Sequence, residues 1–248
     1  MRGDILKKKL MVLCAVAIMI STCLTGCKMN SGKIRFGSAG IGGTYQIFGD
    51  TFANLISSKS KKYNIEVKTT AGSAANLRLL SKDYIQMAVA QMDLINDAYN
   101  RTGIFENDKK YQGYRAVASL YTEACQIVVP ADSDIQSMDD LEGKKVCIGE
   151  EESGTEQNAL QILNAYGLNE RLVDTVNLNY TDAAKKLKSG DIDAFFCTAG
   201  VQTTVINELS KQCKIRLVSL DQKGISRLKK SYKFYTEYTI PAGTYVNQ

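Results

Sequence analysis

The residues best suited to bind a small ligand lie in a glycine-rich loop near the start of the chain. An apolar run at 34–36 is typical of a buried strand, and Thr44 begins a helix with an apolar face. Glycines between them let the backbone turn tightly, and the free N–H groups at the helix start attract anions. The loop therefore predicts an anion-binding site; the alternative is a glycine-rich turn without a ligand. The glycines are Gly37, Gly40, Gly42 and Gly43, and the helix face carries Phe48, Phe52, Leu55 and Ile56.

The spacing of these glycines excludes two nucleotide-binding motifs. A dinucleotide fingerprint that started at Gly40 would need a glycine where Tyr45 stands. A Walker loop needs a lysine, which this stretch lacks. A nucleotide is therefore not the expected ligand.

Similar loops follow later strands. A glycine turn at 71–73 follows a strand at 65–69, and polar residues at 91–93 close a buried strand at 87–90. In open α/β sheets the ligand crevice lies beyond the carboxyl ends of the strands, so these loops should converge with the first one. The loop at 149–155 gives a further helix start, because Ser153 is well suited to cap the helix that follows.

The first 26 residues have the form of an export signal. Three lysines at 7–9 precede an apolar run at 10–20, which is short for a membrane span. The tetrapeptide at 24–27 resembles the processing box of bacterial lipoproteins, in which Cys27 is lipidated and becomes the mature N-terminus. We therefore expect a signal peptide at 1–26 and a lipid-anchored linker at 27–32, the alternatives being an ordinary signal peptide or an uncleaved anchor.

Composition narrows the class of function. Removal of residues 1–26, which carry a net charge of +3, lowers the formal charge from +5 to +2, and the remaining basic residues are dispersed. Nucleic acid is therefore not an expected partner. The chain contains no histidine, so the usual acid–base partner of a nucleophile and the commonest metal ligand are both missing. We expect no catalytic residue, metal or cofactor, although Asp93 or Asp191 paired with another carboxylate would still allow proton transfer.

The cysteines of the mature region do not form a metal or redox motif. They are isolated from one another, and three of them lie in apolar runs typical of strands. We expect them to be mostly buried free thiols, and one disulfide remains an alternative. These residues are Cys125, Cys147, Cys197 and Cys213.

The order of elements predicts an α/β fold. Strand and helix patterns alternate along the chain, and two β-rich segments at 114–121 and 125–129 suit a crossing between two lobes. Such repetition implies parallel or mixed sheets covered by helices. We expect residues 33–121 and 215–248 to form the first lobe and residues 122–214 to form the second, each with a mostly parallel sheet flanked by helices.

The same motifs resemble those of the TAXI family of TRAP-transporter solute-binding proteins. The glycine loop at 37–45 and the motif around Pro241 are the more specific matches. The resemblance covers nearly all of the mature chain, with further matches in the expected order at 69–73, 76–80, 90–93, 118–121, 153–155, 191–196 and 199–200.

This resemblance implies a two-lobed periplasmic-binding-protein-like fold of type II. Such a protein sits on the extracytoplasmic face of the bacterial membrane, closes on a small anionic or zwitterionic solute such as glutamate or glutamine, and delivers it to membrane-embedded TRAP subunits. The family's pocket falls, by position, on Ser38, Gly43, Thr44, Tyr45, Gly72, Ser73, Gln91, Asp93, Tyr121, Ser153, Gly154 and Thr155. Amides and hydroxyls would hold carboxylate oxygens, and Gln91 or Asp93 a polar or amino group.

Two features depart from the family pattern. The acidic run at 150–152 precedes Ser153, where negative charge competes with an anionic ligand for the helix dipole; the alternative, which we expect, is that these side chains point to solvent. Relatives continue beyond the proline motif, whereas this sequence ends at Gln248, so we expect a first lobe that is incomplete at its C-terminus. The alternatives to a solute receptor are therefore a truncated, non-binding surface lipoprotein and, less favoured, an enzyme on the same fold.

Overall fold

Two β-sheets organise the computed structural model, which describes residues 33–109, 111 and 113–248. The expected signal peptide, the linker and the lipidation site at Cys27 lie outside the described residues. Residues Ile34–Gln248 form one compact unit.

The first sheet has three strands in the order β2-β1-β3. These strands are β1 (Lys33–Gly37), β2 (Asn64–Lys68) and β3 (Met87–Ala88), and β3 runs parallel to β1. Each is followed by a helix: α1 (Thr44–Lys59), α2 (Ser73–Ser81) and α3 (Met92–Asn100). Leu77 of α2 and Leu94 of α3 pack with Phe105, from the short 3₁₀ turn Gly103–Phe105, into a small apolar core.

The second sheet has five strands in the order β6-β5-β7-β4-β8. They are β4 (Ala124–Pro130), β5 (Lys145–Cys147), β6 (Asp174–Val176), β7 (Ala194–Ala199) and β8 (Ile215–Leu217). The helices are α4 (Gly154–Ala165), α5 (Tyr180–Ser189), α6 (Thr204–Gln212) and α7 (Gln222–Ser231), with a 3₁₀ turn at Asp139–Leu141.

Helices cover both faces of the second sheet, as the side chains of β7 show. Every residue of β7 is buried, and because side chains alternate along a strand, Phe196 packs on one face and Phe195 on the other. Ile162 of α4 and Leu228 of α7 join the Phe196 side. Residues of α5 and α6 join the Phe195 side. The strand is therefore the centre of the larger core.

The predicted α/β fold class is confirmed, and the second sheet is mixed. Strands β5, β6 and β7 run parallel, whereas β4 is antiparallel to both β7 and β8. The segment 114–121, which the sequence predicts as β-rich, forms no strand in the structure. A strand needs a hydrogen-bonded neighbour, and the sheet pairings of the described chain include none for this segment.

The segment 215–248 lies elsewhere than the sequence predicts. The sequence pattern predicts that it belongs to the first lobe, but β8 pairs with β4 as an edge strand of the second sheet. Leu228 and Tyr245 are buried in the cores on the two faces of that sheet. Apolar burial therefore attaches this segment to the five-stranded sheet, and the rest of the lobe division stays a prediction.

None of the described helices is both long and apolar enough to span a bilayer. All four described cysteines are free, and Cys147 and Cys197 are buried while the other two are partly exposed.

Candidate functional site

Three glycine-containing loops bring helix starts to one place between the two sheets. The loop after β1 passes through Gly42, with φ of +90°, and Gly43 precedes α1 without a side-chain cap. The loop after β2 reaches Gly72, which precedes α2 with φ of +132°, a conformation that side-chain-bearing residues rarely adopt. Neither helix has a side-chain cap, which leaves first-turn N–H groups for a ligand, although in α2 the N–H of Ala75 already donates to the Glu152 carbonyl.

The third loop belongs to the five-stranded sheet and carries the predicted cap. The hydroxyl of Ser153 accepts a hydrogen bond from Glu156 N at 3.0 Å, which confirms the helix start at Gly154. A Cβ on Gly72 would meet Ser153 Cα at 3.5 Å, so the second and third loops are in close contact. The two sheets therefore face each other across their glycine turns.

A cavity of about 40 Å³ lies where these loops meet. A single water needs about 10–15 Å³ by a comparable measure, so the cavity holds only a few non-hydrogen atoms in this closed arrangement. It is lined from both sheets by Ala39, Gly40, Gly43, Thr44, Tyr45, Ala71, Gly72, Ser73, Gln91, Glu123, Glu150, Ser153, Gly154, Thr155, Leu178, Asn179, Tyr180, Thr198 and Ala199.

Nine of the twelve residues predicted for the pocket line this cavity. These are Gly43, Thr44, Tyr45, Gly72, Ser73, Gln91, Ser153, Gly154 and Thr155. That they bind a ligand stays a prediction.

The other three lie beside the cavity. Ser38 is buried, and its hydroxyl donates to Gln46 Oε1 at 2.7 Å. Asp93 accepts from Asn158 Nδ2 at 3.4 Å, and burial raises the pKa of its carboxyl. The Tyr121 ring packs edge-on against the Tyr45 ring, with centroids 6.5 Å apart. Asp93 and Tyr121 line a larger cavity of about 2210 Å³, which Tyr45, Gln91 and Glu123 line as well.

Glu123 is one of the ten residues that line the cavity without being predicted from the sequence. It lies just before β4, and its carboxylate accepts from Tyr45 Oη at 3.0 Å and from Tyr121 Oη at 3.4 Å. Burial raises the pKa of Glu123 to about 7, with a smaller contribution from the nearby Asp93 charge. The only sequence signal was an acidic residue between two apolar runs, which does not distinguish a buried carboxylate from an exposed one.

A chain of hydrogen bonds links the two sides of the cavity behind Gln91. Gln91 Nε2 donates to Asn158 Oδ1 at 2.9 Å, and Asn158 Nδ2 donates to Tyr235 Oη at 2.7 Å. Tyr235 in turn donates to Gln161 Oε1 at 2.6 Å. Gln91 thus joins the start of α3 to side chains of α4.

Further polar contacts join the loops directly. Ala75 N donates to the carbonyl of Glu152 at 3.1 Å, and Arg78 Nη1 forms an ion pair with Glu152 Oε1 at 2.7 Å. On the other side of the cavity, Thr181 Oγ1 donates to the Ile41 carbonyl at 3.1 Å, and Thr203 Oγ1 donates to that of Gly42 at 3.3 Å. These contacts join the loops on both sides of the small cavity.

The acidic run at 150–152 does not point uniformly to solvent, contrary to expectation. Glu151 is exposed, whereas Glu150 and Glu152 are partly buried. Glu150 lines the cavity, where burial raises the pKa of its carboxyl, and Glu152 pairs with Arg78. The difference arises because the loop faces the start of α2, where a backbone N–H and a guanidinium both attract oxygens.

The described part of the chain contains no cluster of three or more His, Cys, Asp or Glu side chains that could hold a metal ion.

Comparison with known families shows which family the chain belongs to. A model of the NMT1-like family matches residues 36–248. The chain belongs to the NMT1-like family. The match begins inside β1 and includes every residue that lines the cavity.

Solved structures of binding proteins share the fold of this NMT1-like protein. The binding component of a phosphonate ABC transporter from Pseudomonas aeruginosa is 13% identical, with 86% of this chain and 76% of that chain covered and a TM-score of 0.54. An ancestral arginine-binding protein bound to arginine is 18% identical, with 82% and 93% covered and a TM-score of 0.51. The alkanesulfonate-binding protein SsuA from Xanthomonas axonopodis pv. citri, bound to MOPS, is 18% identical, with 76% and 60% covered and a TM-score of 0.51.

These similarities establish the periplasmic-binding-protein-like fold. The NMT1-like chain spans 56–60% of the length of the sulphonate-binding proteins that it matches.

Proposed function

We propose that this NMT1-like protein is the extracytoplasmic solute-binding subunit of a TRAP transporter. It captures a small organic acid or amino acid, such as glutamate or glutamine, between its two sheets and delivers it to membrane subunits. In this proposal, Cys27 carries the lipid anchor. The TAXI-like motifs support the transporter class.

The observation that carries the proposal is the cavity enclosed by loops from both sheets. Its wall contains the helix starts at Thr44, Ser73 and Gly154, where N–H groups favour a carboxylate. Because the cavity of about 40 Å³ holds only a few non-hydrogen atoms, the two halves must move apart to admit a solute the size of glutamate. Binding energy can then shift the population toward a closed state that contains the ligand. The shared fold of three binding proteins is consistent with this use.

Calorimetric titration tests the proposal. Residues 28–248 are purified, shown to melt cooperatively, and titrated with glutamate, glutamine and a wider panel of small acids. We expect micromolar or tighter binding of at least one solute, and no turnover of it. A cooperatively folded protein that binds no member of the panel would favour the non-binding lipoprotein instead, and turnover of a bound solute would favour an enzyme.

A further inference from the structure

The charged groups that line the cavity are all acidic. Glu123 and Glu150 face it, and no Lys or Arg occurs among its lining residues. In the described part of the chain, no basic residue forms an ion pair with either carboxylate. A largely buried carboxylate without a cation costs free energy, which a cationic ligand would recover.

The carbonyl oxygen of Gln91 lies against Gly154 in the cavity wall, while, against the larger effect of burial, a hydrogen bond from the Gln91 side chain lowers the pKa of the Glu123 carboxyl. The phenol of Tyr235 donates to Gln161, so its oxygen accepts from Asn158 Nδ2, which leaves Asn158 Oδ1 as an acceptor. Only the NH₂ group of Gln91 can satisfy that acceptor, so Oε1 is turned the other way. This Oε1 atom is buried and has no hydrogen-bond partner among the described residues.

Thr198 supplies a further unpartnered group in the cavity wall. The residue is only 8% exposed, and its Oγ1 atom has no hydrogen-bond partner within the described chain. Together with Glu123 and Gln91, it gives the cavity three oxygens that can accept hydrogen bonds. An ammonium group has three N–H donors and no acceptor, and it matches this set.

From this arrangement we propose that the solute carries a cationic amino group, and that Glu123, with Gln91 Oε1, is the subsite that selects it. The inference rests on the proposed function and narrows its solute class from small acids and amino acids to amino compounds. An α-amino acid fits best, because its carboxylate can face the uncapped starts of α1 and α2 while its ammonium meets Glu123. A simple carboxylic acid would place a second anion beside an unpaired one.

Binding of an amino group at Glu123 depends on whether the Glu123 carboxyl is ionised. The ammonium group requires the ionised carboxylate, so binding should strengthen as pH rises through the range in which Glu123 loses its proton, and should release protons near neutral pH. The other titratable groups around Glu123 are Tyr45 from α1, Asp93 from α3, Tyr121 from the same segment, Cys125 from β4, Glu150 from the loop before α4, Tyr180 from α5 and Cys197 from β7. Among these, burial also raises the pKa of the Asp93 and Glu150 carboxyls, so a variant of Glu123 is needed to assign the effect.

The test compares matched solutes that differ only in the amino group. The purified protein is titrated calorimetrically with glycine and glycolate, L-alanine and L-lactate, and L-glutamate and L-2-hydroxyglutarate, with L-glutamine added. We expect at least one amino compound to bind at least tenfold more tightly than its hydroxy partner. Titrations at pH 7 in two buffers of different ionisation enthalpy should show net release of protons on binding.

Glu123→Gln is the decisive variant, and Glu142→Gln, an exposed glutamate away from the cavity, is its matched control. The Glu123 variant keeps a side chain that can contact the tyrosine hydroxyls, and its melt shows whether it is folded. It should lose at least tenfold in affinity for the amino compound and no longer release protons, whereas the control should do neither.

Three results would overturn the inference. Equal binding of the hydroxy acids, or unchanged affinity in folded Glu123→Gln, would remove the amino-group subsite but leave a solute-binding protein. If the folded wild-type protein bound no member of the panel, the proposed function itself would fail and this inference with it.

Discussion

Gly154 and the side chain of Gln91 are in such close contact that there is no room for a larger residue at position 154. A Cβ added to Gly154 would overlap the Oε1 atom and amide carbon of Gln91. Gly154 is the first residue of α4 and needs no left-handed conformation, so glycine is required there by the close approach alone.

Gly154→Ala should therefore impair closure without damaging the helix. Alanine is the better helix former, so the ligand-free variant should melt at or near the wild-type temperature. Solute affinity, measured by calorimetry, should fall at least tenfold because the Gln91 side chain is displaced. Gly113→Ala is the control, since an added Cβ there has no atom within 4 Å. Wild-type affinity in Gly154→Ala would show that this contact does not form in the bound state.

Gln91→Ala tests the other partner. The change removes the hydrogen bond to Asn158 and the oxygen that faces the cavity, so binding should weaken by about 1–3 kcal/mol. The exposed Gln136 provides the matched control, Gln136→Ala, which should bind as the wild type does. Equal affinities of the two variants in the same titration would remove Gln91 from the site.

At the scale of elements, the start of α2 is fastened to the loop before α4. Arg78 pairs with Glu152 and, at 3.1 Å, with Asp108, while Ala75 N bonds the Glu152 carbonyl. The Glu152 side chain is 45% exposed, so solvent screens its pair with Arg78. We therefore expect the ion pair to contribute only a small free energy to the contact between α2 and the loop before α4.

Arg78→Gln should weaken solute binding modestly, by about 0.2–1 kcal/mol, which corresponds to a loss of up to about fivefold. The wild-type affinity should also fall as salt rises, and the variant should show less of this dependence. Lys82→Gln, on the exposed end of the same helix, is the control. Salt dependence that is identical in Arg78→Gln and in the wild type would contradict a closing role for the ion pair.

The positions of the helices and strands could be predicted better than the pairing of the strands in the sheets. Glycine loops, the Ser153 cap and the alternation of apolar runs are local signals, and the structure has helices or strands where they indicate them except at 114–121, which forms no strand. The antiparallel direction of β4 and the return of β8 to the same sheet depend on pairing between distant segments, which leaves no local pattern. The burial of Glu123 could not be predicted for the same reason, because it depends on contact with Tyr45, which lies 78 residues away in the sequence.

At the scale of the whole molecule, Glu123 should make stability depend on pH. Burial raises its pKa from the ordinary 4.5 of a glutamate to about 7, so the folded state binds the proton more tightly than the unfolded state. Its contribution is therefore fully present below pH 4.5 and is lost as pH rises through 7, a change on the order of 3 kcal/mol.

Melting temperatures of the ligand-free protein measured between pH 5 and pH 8 test this expectation. The fall in melting temperature across this range should be smaller in Glu123→Gln, because that variant cannot exchange the proton. At pH 8 the variant should melt at a higher temperature than the wild type, since a buried charge has been removed. Identical pH profiles would show that Glu123 is well solvated in the ligand-free protein.

The hydrogen bonds behind Gln91 all run in one direction, from donor to acceptor. The orientation of one amide group in the chain therefore depends on the orientation of the next. Each member gives its hydrogen toward Gln161 and turns its own acceptor toward the cavity, so the atom at Gln91 is decided by a residue that touches no solute. Suppose that position 161 held a residue that can only donate a hydrogen bond, and that Asp93 no longer accepted one from Asn158. The side-chain amides of Asn158 and Gln91 would then rotate, and Gln91 would present its NH₂ group to the cavity. The cavity would then offer a hydrogen-bond donor at Gln91, which favours a carboxylate, instead of an acceptor, which favours an amino group. Every cavity-lining residue would be unchanged. Relatives with identical pockets can in this way differ in what they carry.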